Sequence, residues 1–213
     1  MHDSETVARG WDARASRYLE LFRDEFQSKP YDLAVLDAFA AALPAGARVC
    51  DAGCGPCGHV ARILSDRGLD VVGIDLSPQC VALARTEQPS LRFETMDMAA
   101  MSFDDCVFDG LIAYYALHDQ PKSTLPTVFR EFARVLRPGG RLLVVVKEGA
   151  GEGWIDDPMG LPAPIFWSAF SPEELRELCV IAGFEAPDCA VRDPFPEEIA
   201  VRRIYLTAAR GRL

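Results

Sequence analysis

The sequence contains no asparagine, so it offers no acceptor for N-linked glycosylation. Lysine occurs three times in 213 residues, and arginine carries nearly all of the positive charge. Cations are scarce altogether: 22 Lys+Arg stand against 32 Asp+Glu, a formal net charge of −10. A surface of that sign repels phosphate backbones and anionic lipid, which argues against a nucleic-acid or membrane partner. Long apolar runs are missing too. Leu111–Leu117 is the longest and Leu142–Val146 is shorter, both well short of the ~20 residues that span a bilayer. The opening MHDSETVARGWDAR has no apolar stretch of the kind a secretory signal needs. The seven cysteines are odd in number and read as reduced thiols, so a cytoplasmic location is expected. What remains is an ordinary globular composition, 49% hydrophobic and 25% charged, long enough for one domain over 1–213.

Four short apolar runs read as strands: Arg48–Asp51, Val71–Asp75, Val107–Tyr114 and Arg141–Lys147. Continuous runs of this length suit strands covered on both faces of a parallel sheet. Helical spacing lies between them, over His59–Arg67, from Ser77-Pro78 through Ala84, and over Thr127–Leu136 up to Arg137-Pro138-Gly139-Gly140. Alternation of strand and helix predicts a doubly wound α/β sheet, mostly parallel. Residues 1–43 read as two helices ahead of this core, and 44–147 as the core itself. Residues 148–170 read as a long Gly/Pro/aromatic loop. The last part, 171–213, reads as a helix opened by Ser171-Pro172-Glu173-Glu174, a strand near Phe184–Val191 and a final antiparallel strand over Glu198–Ala209.

The chemistry concentrates in VCDAGCGPCG, residues 49–58. A strand, a glycine-rich turn and a helix starting near Cys57 follow in that order, which suits a nucleotide-type loop. Three ligands fit the letters. Gly53, Gly55 and Gly58 match the dinucleotide spacing, with Asp75 at the end of the second strand. Cys50, Cys54 and Cys57 match the C-x₃-C-x₂-C spacing of an iron–sulfur cluster. The third candidate is S-adenosylmethionine. Asp51 separates them, because a carboxylate beside the loop repels a pyrophosphate and attracts a ligand bearing an ammonium and a sulfonium. Cys50 sits inside a strand and diverges from cysteines on a turn, which opposes a cluster. We expect no metal site.

Five stretches then carry a resemblance: VCDAGCGPCG (49–58), VVGIDLSP (71–78), RFETMDM (92–98), FDGLIAYYALHD (108–119) and LRPGGRLLVVV (136–146). In this order, across residues 48–147, the chain resembles the class I, Rossmann-like, S-adenosylmethionine-dependent methyltransferases of small molecules. Cys57 stands where that family usually has a third glycine, with Gly58 displaced by one. The resemblance implies a seven-stranded, mostly parallel sheet with an N-terminal helical lid and an antiparallel last strand. It implies S-adenosyl-L-methionine as cofactor, a small-molecule methyl acceptor, and a monomer or homodimer.

The resemblance also assigns residues. Asp51, Gly53 and Gly55 would meet the methionine part of the cofactor, with Tyr18 reaching it from the lid. Asp75 would take the ribose hydroxyls and Leu76 would pack on adenine. Asp97 would accept from the adenine amino group, with Met96 and Met98 as apolar walls. Ala113 and His118, at the end of the fourth strand, would face the cofactor. His118 and Tyr114 are the candidate catalytic groups. Tyr115, Lys147, Trp154, Phe166, Trp167 and Phe170 are the candidate acceptor-side residues, with Arg202-Arg203 as a further charge that could meet a carboxylate.

Overall fold

The computed structural model describes residues 4–155, 165–196 and 198–212. Helix α1 (Ser4–Phe22), a 3₁₀ turn (Glu25–Ser28) and α2 (Pro30–Ala41) precede the sheet. The core then alternates: β1 (Arg48–Ala52), α3 (His59–Asp66), β2 (Asp70–Asp75), α4 (Pro78–Glu87), β3 (Arg92–Thr95), β4 (Phe108–Tyr114), α5 (Leu125–Val135) and β5 (Leu136–Lys147). A small hairpin, β6 (Glu152–Ile155) and β7 (Ile165–Ser168), leads to α6 (Pro172–Ile181), β8 (Phe184–Arg192) and β9 (Arg203–Arg210). The main sheet has seven strands in the order β3-β2-β1-β4-β5-β9-β8. β1 to β5 pair in parallel, and β9 alone runs against both of its neighbours. The strand order reverses between β1 and β4, and ligands of open α/β sheets bind in the crevice that this reversal opens.

Two apolar layers hold the sheet, and strand alternation deals residues to each. Leu142, Val144 and Val146 of β5 pack with Phe129 and Phe132 of α5 and Leu175 of α6. Leu143 and Val145 join Leu36 of α2, Leu64 of α3 and Val81 of α4 on the other face. Burying a Phe or Leu side chain contributes about 1.5–3 kcal/mol, so these layers carry most of the folding free energy. The helix starts follow local rules. Ser77 caps α4 by accepting from the Cys80 N–H at 3.0 Å, with Pro78 behind it. Ser171 and Glu174 form a reciprocal capping box on α6.

Several boundaries differ from expectation. α3 begins at His59, where the helical spacing starts and two residues after the Cys57 start read from the glycine loop, because Gly58 takes a left-handed φ of 57° that ends the turn first. A Cβ at Gly58 would also meet Phe93 at 2.7 Å. Arg137–Gly140 does not separate α5 from the next strand. It lies within β5 as an irregularity between the Phe108–Leu136 and Gly110–Arg141 pairs. β9 starts at Arg203 rather than Glu198, because the Glu198 carboxylate is turned inward to Arg192 and Arg203. The segment 148–170 is no single loop. Glu152–Ile155 and Ile165–Ser168 pair antiparallel with Trp154 opposite Phe166, while 156–164 lie outside the described residues. α1 lies on α4. Asp12 accepts from the Ser77 hydroxyl and from the Gln79 N–H at 3.1 Å, and Arg23 meets Glu87 at 3.0 Å. No helix among the described residues is long and apolar enough to cross a membrane.

Candidate functional site

The carboxyl ends of β1, β2 and β4 open into a cleft of about 750 Å³, counted to its open mouth. Its floor is the glycine loop. The Gly53 and Cys54 N–H groups both donate to the Ile74 carbonyl, at 2.8 and 2.9 Å, so the loop is tied to β2. Gly53 has φ 81°, and a Cβ there would overlap the Ala116 methyl at 2.3 Å. Glycine is therefore fixed at this position by the approach of the segment after β4. That approach depends on Tyr115, which holds a left-handed φ of 54° and donates its N–H to Val145 at 2.9 Å. Such a conformation costs a bulky residue about 1–3 kcal/mol, and the surrounding packing sustains it.

Two carboxylates face this floor. Asp75 ends β2 and accepts from the Gly55 N–H at 3.0 Å on one oxygen and from the Ser77 N–H at 2.9 Å on the other. Burial lifts it to about 6 against these hydrogen bonds, with the Asp12 charge adding to the rise. Asp51 is 1% exposed. Burial lifts it to about 7; an N–H from Ala61 opposes the rise and the Asp75 charge adds to it. Its Oδ2 is buried with no hydrogen-bond partner. An unpaired buried carboxylate oxygen is costly, and a ligand cation would relieve it.

The roof comes from the N-terminal segment. Trp11 and Tyr18 of α1 line the cleft and meet edge-on at 5.4 Å. The 3₁₀ turn adds Glu25, whose carboxylate pairs with His59 Nε2 at 2.7 Å and with the Lys29 ammonium. Burial raises the Glu25 carboxyl, but the hydrogen bonds and charges of His59 and Lys29 outweigh it and hold it below its ordinary value. The far wall is Tyr115 and Asp119, the latter accepting from Trp11 Nε1 at 2.9 Å. A smaller hollow of about 220 Å³ continues from Trp11 and Asp119 to Trp154 and Phe166.

Residues 49–140 match the family model of a methyltransferase domain. A malonyl-[acyl-carrier protein] O-methyltransferase of Enterobacter lignolyticus is 35% identical over 142 residues, 66% of this chain and 53% of that protein. A demethylmenaquinone methyltransferase of Beutenbergia cavernae is 35% identical over 147 residues, 67% of this chain and 58% of that protein. The solved DhpI–SAH complex superposes with a TM-score of 0.76 at 23% identity, covering 98% of this chain and 97% of that one; at that identity the likeness is one of fold. Residues 49–140 thus belong to the methyltransferase-domain family, and the sheet has the fold of the S-adenosylmethionine-dependent methyltransferases. The match spans little more than half the length of these two curated relatives.

The chain brings many of its expected site residues to one place. Tyr18, Asp51, Gly53, Gly55, Asp75, Leu76, Met98, Tyr114 and Tyr115 all line the cleft. Others lie elsewhere. Ala113 is fully buried and packs toward α5, because β4 alternation turns it to the far face; Ala116 occupies the cleft wall instead. Met96 packs on the core layer beside α5, off the cleft wall. Asp97 accepts from the Ala99 N–H at 2.8 Å as a turn cap. Phe170 is 1% exposed and belongs to the core. Trp167 lies over Gly151 and Gly153 of its own hairpin, away from both cavities. Trp154 and Phe166 line only the smaller hollow. Lys147 is half-buried at the end of β5, opposite Arg203, and off the cleft wall. Arg203 itself is turned to Glu198 and two backbone carbonyls, and Arg202 to Glu148.

The two expected catalytic groups are corrected. His118 has both ring nitrogens committed, Nδ1 to the Ser168 carbonyl at 3.0 Å and Nε2 to the Lys147 N–H at 3.1 Å. Burial pushes it down to about 3, the Lys147 charge in the same direction. It fastens β7 and β5 to the segment after β4 and has no lone pair left for a proton. Tyr114 donates its hydroxyl to buried Asp32 at 2.7 Å, and Tyr205 and Arg192 fill the rest of that carboxylate. Its phenol is pushed well above its ordinary value by burial and then by the Glu25 charge. The cysteines also diverge. Cys50 packs toward α5 and Cys54 toward α3. Among the described residues no group of three or more His, Cys, Asp or Glu side chains is placed to hold a metal. The sequence reading missed Glu25, His59, Ala116 and Asp119. His59 follows the glycine loop directly, and that adjacency was a usable signal; Glu25 sits in a turn and gives none.

Proposed function

We propose that this chain transfers a methyl group from S-adenosylmethionine to a small-molecule acceptor held between the glycine loop, Tyr115 and the helical roof. The observation that carries this reading is the Asp51 Oδ2, buried and without a partner at the switch point of the sheet. An amino-acid ammonium supplies the missing donors, whereas a pyrophosphate would face the carboxylates of both Asp51 and Asp75. Asp51 would hold the ammonium, the second lone pairs of Asp75 would take the ribose hydroxyls, and Leu76 and Met98 would give apolar contact to the base. When bound, the cofactor supplies an activated methyl with a neutral leaving group. The chain itself aligns the acceptor, and its roof excludes water. The relatives include an enzyme named for a quinone substrate, which supports a small acceptor, and one named for an acyl group borne on a carrier protein. The charge of −10 supports an enzyme without nucleic-acid or anionic-membrane partners, which we take to be cytoplasmic and monomeric or homodimeric.

The test is calorimetric titration of the protein with S-adenosylhomocysteine, NAD and NADP. We expect S-adenosylhomocysteine to bind and both dinucleotides to fail. Dinucleotide binding with no affinity for S-adenosylhomocysteine would refute the reading.

A further inference from the structure

Four side-chain polar atoms among the described residues are buried without a hydrogen-bond partner: Asp51 Oδ2, His59 Nδ1, Tyr115 Oη and Arg203 Nε. Three of the four residues line the cleft. Buried polar atoms are nearly always satisfied, so each exception asks for a cause. Asp51 is accounted for by the cofactor ammonium, Tyr115 Oη has the Arg203 side chain beside it, and Arg203 lies 3.5 Å from Glu198 with two carbonyls on its other arm. His59 is not accounted for.

Its surroundings define the lone pair. Glu25 presents Oε1 to His59 Nε2 at 2.7 Å and gives Oε2 to the Lys29 ammonium. The Lys29 ammonium on Oε2 keeps Glu25 an acceptor, so Glu25 has no proton to donate and Nε2 carries the hydrogen. In the neutral ring, Nδ1 then bears the free lone pair. The ring is also fixed. Phe26 meets it edge-on at 4.8 Å, and His59 is the first residue of α3, directly after the left-handed Gly58. His118 shows what a histidine kept for packing looks like here, with both nitrogens bonded to backbone. His59 instead is 8% exposed, one nitrogen held and the other idle, in a ring that lines the cleft.

We propose that His59, oriented by Glu25, is the general base of the methyl transfer, and that the acceptor is therefore a protic nucleophile: a hydroxyl, a phenol or an amine. This rests on the methyltransferase reading above. The electron pair of the acceptor atom forms the new bond to the methyl carbon, and the carbon–sulfur pair stays on sulfur. The acceptor's proton passes to His59 Nδ1, and the imidazolium is balanced by Glu25 until water takes the proton. A carboxylate acceptor is already ionised and gives Nδ1 nothing to do. General-base assistance of this kind contributes about 10²–10⁴-fold in rate. Glu25 is a positioning residue, acting through the tautomer it imposes.

The test uses the whole chain with ¹⁵N-labelled histidine. The sequence has three histidines, so His59→Gln and His118→Gln assign the spectrum. The expected result is His59 as the Nε2–H tautomer with a bare Nδ1, with and without S-adenosylhomocysteine. His59→Gln should keep wild-type affinity for S-adenosylhomocysteine. Glu25→Gln should scramble the tautomer, and Glu25→Asp should restore it. A second arm follows S-adenosylhomocysteine release on catechol, tyramine and malonate. Any turnover should be on the first two and fall by on the order of a hundredfold or more in His59→Gln. A protonated Nδ1, loss of S-adenosylhomocysteine affinity in His59→Gln, or malonate turnover indifferent to that substitution would overturn the proposal. If the wild-type chain does not bind S-adenosylhomocysteine, the methyltransferase reading fails first.

Discussion

Replacing Gly53 by alanine isolates the contact that shapes the cleft floor. Two effects add. The left-handed φ of 81° costs an L-residue roughly 1–2 kcal/mol, and alanine returns about 0.4–1 kcal/mol by stiffening the unfolded chain. The new Cβ also sits 2.3 Å from the Ala116 methyl, with Met98 Cε and the Ala116 Cα at 3.4 Å. Overpacking of that kind costs about 1–3 kcal/mol more. Gly53→Ala should therefore lose about 1–5 kcal/mol, centred near 3 and a large share of the 5–15 kcal/mol typical of a domain. Gly68→Ala is the control, because its φ of 83° is the same and nothing lies within 4 Å; it should lose about 1 kcal/mol. Urea unfolding gives both values. The double variant Gly53→Ala/Ala116→Gly should recover most of the difference, since the coupling lies in that one contact. Equal losses for Gly53→Ala and Gly68→Ala, or no coupling in the double variant, would refute the argument that Ala116 makes glycine obligatory at 53.

Other outcomes follow from the same geometry. Asp75→Ala should weaken S-adenosylhomocysteine binding at least tenfold by calorimetry, since charge-assisted hydrogen bonds to a carboxylate are worth about 1.5–3 kcal/mol each; unchanged affinity would remove Asp75 from the site. Asp51 and Asp75 are both lifted in the folded state, to about 7 and about 6. Their stability contribution is complete below the unfolded value near 4 and lost as pH rises through 6 to 7. Asp51→Asn should therefore raise the melting temperature of the ligand-free protein more at pH 8 than at pH 5, and the opposite order would contradict the burial argument. Hydrogen exchange in α1 and in β6 and β7 should slow on S-adenosylhomocysteine binding, while Leu142–Val146 stays protected throughout; exchange indifferent to ligand would make these elements packing and no lid.

Periodicity was enough to place four strands of the sheet, β1, β2, β4 and β5; the seven-stranded order came from the family resemblance. The runs ending at Asp51, Asp75, Tyr114 and Lys147 are apolar because both faces are covered, and alternation with helical spacing left one family of topologies. Cap chemistry placed α4 and α6 through Ser77 and Ser171. The small hairpin was hidden because Glu152–Ile155 and Ile165–Ser168 are four residues each, inside a segment whose Gly and Pro content reads as loop. Site residues on the glycine loop and β2 were legible because a local motif fixes their place. Those decided by tertiary pairing were not. Nothing within ten residues of His118 says that its two nitrogens go to Ser168 and Lys147. Nor does the sequence around Tyr114 disclose Asp32, eighty-two positions earlier. The Glu25–His59 pair spans the 3₁₀ turn and α3 and exists only once α2 has packed on the sheet.

The central claim is that this cleft holds S-adenosylmethionine through Asp51 and Asp75, and a crystal structure of the chain with S-adenosylhomocysteine tests it most directly. The account predicts the ligand's ammonium within hydrogen-bonding distance of Asp51 Oδ2, its ribose hydroxyls on Asp75 and its base against Leu76 and Met98. A ligand lodged elsewhere, or one that leaves Asp51 Oδ2 unpaired, would contradict it.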